Sequence, residues 1–383
     1  MAVVGIAPNA DFGDLACATH LSSPKGTPFM HNDVYRRLAR VLDELPNKFP
    51  ATESGVELKL LEKLFTGEEA SLACVMQLKP ESATDIALRA GTDPKETRNA
   101  LKRMMAKGLI DIRKGDGEFS YALRPFVVGF YEGQLPRMDA EMADLFEQYF
   151  RESKGGILRD TPSLHRVIPV EKAIPVEVNI HPYERASEML EAAKSWGVRD
   201  CICRVQQHLL GKNCGHPVET CLVFSHVEHA FDRSKVDRAL NKEEALKILR
   251  ETEEAGLVHS SGNYRDGIEY ICNCCICCCG IMRGIAEFGI MSAVAHSDFQ
   301  IIVQNDSCNG CEACTERCQF EALTMTEGLA VANYLRCVGC GLCVLVCPTD
   351  ALHLHRRKEG EVSVPPEDIQ AWRVQRLVQK SGL

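Results

Sequence analysis

The sequence contains no uncharged apolar run of about 18 residues, the length a membrane-crossing helix requires. The nearest approach, Ile276 to Ala295, is broken by Arg283 and Glu287. The N-terminus has no basic stretch followed by an apolar core, so no export leader is expected. There is no G-x-G-x-x-G and no P-loop, which leaves no flavin or nucleotide signature. No Ser-His-Asp arrangement can be named, so nothing points to independent catalysis. Positive charge is also short. The chain carries a net −9 at pH 7, a poor balance for general binding of nucleic acid or anionic membrane. Cysteine is nearly absent from the first 200 residues, where only Cys17 and Cys74 occur.

The other eighteen of the twenty cysteines lie between Cys201 and Cys347. In an exported protein such a crowd suggests disulfides. Without a leader it suggests metal or redox chemistry in a reducing cytoplasm. The 383 residues, 45% hydrophobic and 25% charged, suit an ordinary multidomain soluble protein.

Six segments are expected. Residues 1–56 are a weakly patterned N-terminal segment, with Pro, Ser and Gly scattered from Ser22 to Pro28 and a helical pattern from Asn32 to Leu45. Residues 57–124 read as helices at Glu57–Phe65, Ser82–Ala90 and Pro94–Lys107, with Asp93 as N-cap. A hairpin follows, with Leu109–Ile112 and Phe119–Leu123 joined by a Gly-rich tip. Residues 125–180 form a connector with a helix at Asp139–Glu152 and an extended, Pro-punctuated stretch from Arg166 to Ile180. Residues 181–296 are a Cys-rich domain with helices expected at Pro182–Trp196, Lys242–Ala255 and Ile281–Phe288. Residues 297–357 hold a cysteine repeat, and 358–383 are a charged tail with a short helix at Pro366–Gln379.

The repeat is the sharpest signal. Cys308, Cys311, Cys314 and Cys318 are spaced C-x-x-C-x-x-C-x-x-x-C, and Cys337, Cys340, Cys343 and Cys347 repeat the spacing, followed by Pro348. Three thiolates two residues apart can wrap one face of a cubane, and the fourth corner must come from elsewhere. This segment resembles the bacterial two-cluster [4Fe–4S] ferredoxins, in which the fourth cysteine of each run serves the other cluster. The resemblance implies that Cys308, Cys311, Cys314 and Cys347 bind one cluster, and Cys337, Cys340, Cys343 and Cys318 the second. Gly310, Ala313, Gly339 and Gly341 let backbone amides approach the sulfides. Gln319 stands where the pattern has Pro.

Ten further cysteines form a candidate pool for a third site: Cys201, Cys203, Cys214, Cys221, Cys272, Cys274, Cys275, Cys277, Cys278 and Cys279. Three readings stand open: one or more further Fe–S clusters, a zinc ion on four thiolates, or a redox dithiol. Cys278-Cys279-Gly280 resembles the CCG signature of heterodisulfide-reductase-type subunits, which implies a noncubane cluster. Its downstream partner pair would be Cys308 and Cys311, which the ferredoxin pattern already uses. His208, His216, His226 and His229 are nearby alternative ligands, and Arg204 and Arg283 could compensate anionic clusters.

Residues 57–124 resemble a winged helix-turn-helix. Such a unit places its third helix in the major groove. Here that helix offers Lys95, Arg98, Lys102, Arg103 and Lys107, and the wing offers Arg113 and Lys114. Nine basic and seven acidic side chains over residues 81–124 leave a local charge of only +2, which favours a scaffold over a nucleic-acid binder. The expected fold class is α+β and modular: winged helix-turn-helix, Cys-rich domain, two-cluster ferredoxin fold. The whole resembles the multidomain 4Fe–4S dicluster proteins of anaerobes. The expected function is relay of single electrons to or from a partner oxidoreductase. The alternative is a redox-sensing regulator that uses the winged helix.

Overall fold

The structure is a computed structural model and describes residues 31–380 apart from 115–117 and 179. Cys17, the Ser22–Pro28 stretch and the hairpin tip 115–117 lie outside the described residues.

The N-terminal part is built from amphipathic helices. His31–Glu44, Val56–Leu64, Ala83–Ala90 and Pro94–Ala106 lie where periodicity puts them. Ser82 accepts the Asp85 amide, and Asp93 accepts those of Lys95 and Glu96, so each of the last two helices starts at a capped residue. A further helix, Gly67–Ala73, is not marked by periodicity. Its sequence signal is the capping box of Thr66 with Glu69. Ile110–Lys114 and Phe119–Leu123 pair antiparallel, and the short strand Glu81–Ser82 adds to the far side of Phe119–Leu123. Leu38, Leu42, Leu60, Leu61 and Leu64 fill the core. The connector helix Ala140–Glu152 joins that core, with Tyr149 lying 4.7 Å from Phe49 between ring centroids.

The middle is a seven-stranded mixed sheet. Its order is Val294–Ala295, His165–Val167, Val258–Gly262, Tyr270–Cys274, Glu219–Ser225, Ser195–Asp200, Arg238–Leu240. Two expectations are corrected here. The helix expected to reach Trp196 stops at Glu191, and Ser195–Asp200 is a strand. Gly197 interrupts the helical pattern there, and a Cβ on it would lie 3.1 Å from the Phe231 ring. The stretch from Arg166 to Ile180 is extended only at its start. After Val167 it turns through Glu171–Ala173. Helices Lys242–Glu254 and Gly280–Phe288 flank the sheet, the first opened by a capping box of Asn241 and Glu244.

The C-terminal repeat is two small antiparallel pairs, Phe299–Val303 with Leu352–Arg356 and Leu323–Thr326 with Leu329–Ala332. Its core is continuous with that of the middle sheet. Phe299, Leu323 and Leu354 belong to the same buried cluster as Val258, Met282 and Ile285. The tail helix Ile369–Lys380 folds back onto the body. Trp372 Nε1 donates to the Ser163 carbonyl at 3.0 Å, and buried Arg376 donates to carbonyls of Pro46, Ile157, Asp160 and Pro162. The architecture is α+β and modular, with units joined by shared core rather than by free linkers.

Candidate functional site

Eighteen cysteines fall into four groups in space. Cys308, Cys311 and Cys314 line one cavity together with Cys347 from the other run. Cys314 is raised by burial first, and then by the charges of Cys311, Cys347 and Cys308. The second run has the reciprocal arrangement. Burial pushes Cys337 up, pushes Cys340 to about 12 and pushes Cys343 well above the thiol range, and Cys318 acts on all three.

The backbone repeats as the sequence does. Gly310 and Gly339, Glu312 and Gly341, and Glu321 and Asp350 are three matched pairs, all with positive φ. The Ala322 amide donates to Cys318 Sγ at 3.3 Å, and its counterpart Ala351 donates to Cys347 Sγ at 3.3 Å. Gly339 cannot be replaced cheaply. Its φ is +74°, and a Cβ would lie 2.1 Å from the Phe299 carbonyl oxygen. Gly339→Ala is therefore expected to cost about 2–4 kcal/mol, from backbone strain plus displacement of that strand. Its iron content should fall by half of what the repeat holds. An unchanged melting temperature and iron content would contradict this.

Gln319, the departure from the ferredoxin pattern, has a role in the structure. Its Oε1 accepts the Ile276 amide at 2.7 Å, and its Nε2 donates to the Gly256 carbonyl. Ile276 lies between Cys275 and Cys277, so Gln319 ties the repeat directly to the middle cysteines. A proline there makes neither bond. Gln319→Pro is expected to lower stability by about 2 kcal/mol through the two lost partners. Thermal melts of the anaerobic protein test this, and an unchanged melting temperature would contradict it.

The ten middle cysteines divide into a quartet and a ring. Cys214, Cys275, Cys277 and Cys278 have Sγ atoms all within 4.8 Å of one another, with Cys277 and Cys278 3.9 Å apart. A single tetrahedral ion with bonds of about 2.3 Å places its sulfurs about 3.8 Å apart, so the quartet fits one ion. The other six perturb one another in a closed circuit. Cys201 meets Cys203 and Cys221, Cys274 meets Cys272 and Cys279, Cys203 meets Cys279, and Cys221 meets Cys272.

Strand geometry builds the ring. Cys272 and Cys274 are two residues apart on Tyr270–Cys274 and so share a face. The register Leu222↔Ile271 sets Cys221 beside Cys272. Cys201 and Cys279 stand at the N-caps of helices Ile202–Leu209 and Gly280–Phe288, whose positive ends favour thiolates. Hydrogen bonds from Cys203 and Cys221 hold Cys201 well below the ordinary thiol value. Those from Cys272 and Cys279 bring Cys274 to about 6.

Arg204 lies buried between the two groups. Nη1 donates to Thr220 Oγ1 at 2.7 Å and Nη2 to the Asn273 carbonyl at 2.8 Å. Burial alone would lower its pKa, but the charges of Cys201, Cys275 and Cys274 outweigh it and raise it. Among the described residues its buried Nε has no hydrogen-bond partner. A donor left over amid thiols fits an anionic sulfur-rich group. Arg283 behaves otherwise. It makes a two-pronged ion pair with Glu147 at 2.8 Å and a second with Glu287, so it compensates carboxylates and not clusters. Those contacts override burial and bring Glu147 to about 2.

His208, His216, His226 and His229 belong to neither group among the described residues. His229, exposed, pairs with Asp232. The histidine that does face the ring's cavity is His165, bonded to Ser260 and to the Tyr270 hydroxyl. Glu132 lines that cavity too, and burial lifts it to about 7. Neither residue stands in a motif, which is why sequence reasoning passes over them.

One family model matches the chain, within the C-terminal repeat. Residues 330–353 match the 4Fe-4S binding domain family. That stretch carries the second cysteine run. The chain is also 40% identical over 47 residues to a component of an ion-translocating oxidoreductase complex from Methanosarcina acetivorans. The match covers 12% of this chain and 18% of that relative. An uncharacterized ferredoxin of Methanocaldococcus jannaschii is 33% identical over 52 residues, 13% of this chain and 34% of the relative. The chain thus spans no more than about a third of the curated relatives it matches. No solved structure matches. Among the described residues, no helix is long and apolar enough to cross a membrane.

Proposed function

We propose that the chain relays single electrons to or from a partner oxidoreductase through two [4Fe–4S] clusters in residues 297–357. Cys308, Cys311, Cys314 and Cys347 hold the first, and Cys337, Cys340, Cys343 and Cys318 the second. The observation that carries this reading is the cavity that Cys347 shares with the opposite run. Exchange of the fourth ligand interlocks the halves and keeps the clusters close. Each cluster supplies one reversible electron. The protein's part is to set the potential, by amides such as those of Ala322 and Ala351 aimed at sulfur and by the burial of Cys337 and Cys343.

The partner is a redox protein. The relative from an oxidoreductase complex supports that class. A reducing compartment, the cytoplasm, fits the described cysteines, all of which are free thiols. The quartet takes one tetrahedral ion of the zinc kind and fastens the 275–278 loop, which Gln319 in turn ties to the repeat.

The regulator reading has less behind it. Of the cations on the helix Pro94–Ala106 and its C-cap, Arg103 pairs with Glu68 and Lys107 with Glu69. That leaves Lys95, Arg98 and Lys102 as the exposed cations of the helix with no ion pair among the described residues. The unit 57–124 therefore reads better as a docking scaffold. Two measurements separate the readings. Dithionite-reduced protein should pass its electrons within milliseconds to a one-electron acceptor such as cytochrome c, and random duplex DNA should show no shift at low salt. Slow exchange together with a cluster-dependent DNA shift would favour the regulator.

A further inference from the structure

We propose that Cys201, Cys203, Cys221, Cys272, Cys274 and Cys279 together hold one iron–sulfur cluster larger than a cubane, separate from the ion of the quartet. The inference rests on the iron–sulfur reading of this chain, and its test separates the two.

The first argument is geometric. The quartet thiols are all within 4.8 Å of one another, the packing that one ion demands. Among the described residues, no three of the six meet that condition. Each of the six instead interacts electrostatically with two thiol neighbours, and the chain of interactions closes on itself. A hoop of this kind surrounds a body wider than a single ion. All six also line one cavity, which Cys278 of the quartet borders too, while Cys221 and Cys272 reach a second cavity as well.

The second argument is the ligand count. A cubane offers four terminal positions, one on each iron. Six inward thiols exceed that number by two. The circuit has two matching halves. Cys201 stands between Cys203 and Cys221, and Cys274 between Cys279 and Cys272. Three thiols on each side suit a cluster built of two fused parts.

The third argument is electrostatic. A cluster on six thiolates is strongly anionic, and such charge is buried only with compensation. Helices Ile202–Leu209 and Gly280–Phe288 both begin at the ring, with Cys201 and Cys279 as their N-caps. Arg204, wholly buried, carries its positive charge near Cys201 and Cys274 of the ring as well as Cys275 of the quartet, with Nε unpartnered among the described residues.

The test uses the full chain purified without oxygen, with iron, acid-labile sulfide and zinc measured per chain. The two cubanes of the repeat account for about 8 irons. The ring should raise the total above about 12, with one zinc or one extra iron in the quartet. Cys221→Ala and Cys274→Ala change opposite halves of the ring. Each should remove the same irons, more than about four, and leave about 8 with the repeat's EPR signal intact. Cys277→Ser should lose one ion only. A wild-type total at or below about 12 irons, the quartet's one ion not counted, would overturn the proposal, as would two zinc ions in the ring. So would ring variants that each lose a different ion. Retention of the repeat's signal shows that a variant has folded. If the repeat itself lacks its irons, the relay reading fails. The ring is then still judged by the difference between wild type and Cys274→Ala.

Discussion

Cys347→Ala is expected to abolish the cluster held by Cys308, Cys311 and Cys314 and to leave the cluster of its own run in place. The loss should be about four irons per chain. Cys347 lines the cavity of the first run, and the charges of Cys311, Cys347 and Cys308 all act on Cys314. The check is a comparison of EPR spectra. Cys347→Ala and Cys311→Ala should lose the same signal, and Cys318→Ala and Cys340→Ala the other. A spectrum in which Cys347→Ala resembles Cys340→Ala would show that each run serves its own cluster.

Arg204→Leu is expected to have an effect of similar size on the middle domain. The substitution removes the guanidinium donors that the Thr220 hydroxyl and the Asn273 carbonyl accept at 2.7 and 2.8 Å. It also leaves the thiolates of Cys201, Cys274 and Cys275 without their buried cation. Removing one partner from a buried charged cluster costs about 3–5 kcal/mol. The protein should lose its middle-domain metal and melt at lower temperature, while the repeat keeps about 8 irons. Arg204→Lys keeps the charge but not the fork, so it should rescue only in part. Normal metal content in Arg204→Leu would show that the arginine is ordinary packing.

The two halves of the molecule differ in how much of this the sequence reveals. The eight cysteines of the C-terminal repeat are close in the chain and regularly spaced, so their local pattern marks them as the proposed ligands. The grouping of the ten middle cysteines depends on long-range pairing. Cys221 reaches Cys272 only because Leu222 pairs with Ile271, and Cys214 joins the 275–278 loop from a distant segment. Adjacent residues even part company. Cys274 belongs to the ring and Cys275 to the quartet, because the strand ends between them. The helices with clear caps, such as Pro94–Ala106 and Lys242–Glu254, are legible in the sequence. The strands of the middle sheet are not. Val258–Gly262, for instance, is buried at every position although it carries His259, Ser260 and Ser261, so it shows no alternation of apolar and polar residues.

Gln319 shows why a departure from a motif can be informative. It removes no ligand, and the loss of the turn-shaping proline is offset by two hydrogen bonds to the middle domain. That joint fixes the repeat against the middle cysteines.

The central claim is that residues 297–357 hold two close [4Fe–4S] clusters that exchange single electrons. EPR of the dithionite-reduced, anaerobically purified full chain tests it most directly. Two reduced cubanes, their signals broadened by mutual spin coupling, are expected. A spectrum from one isolated cubane, or none, would contradict it.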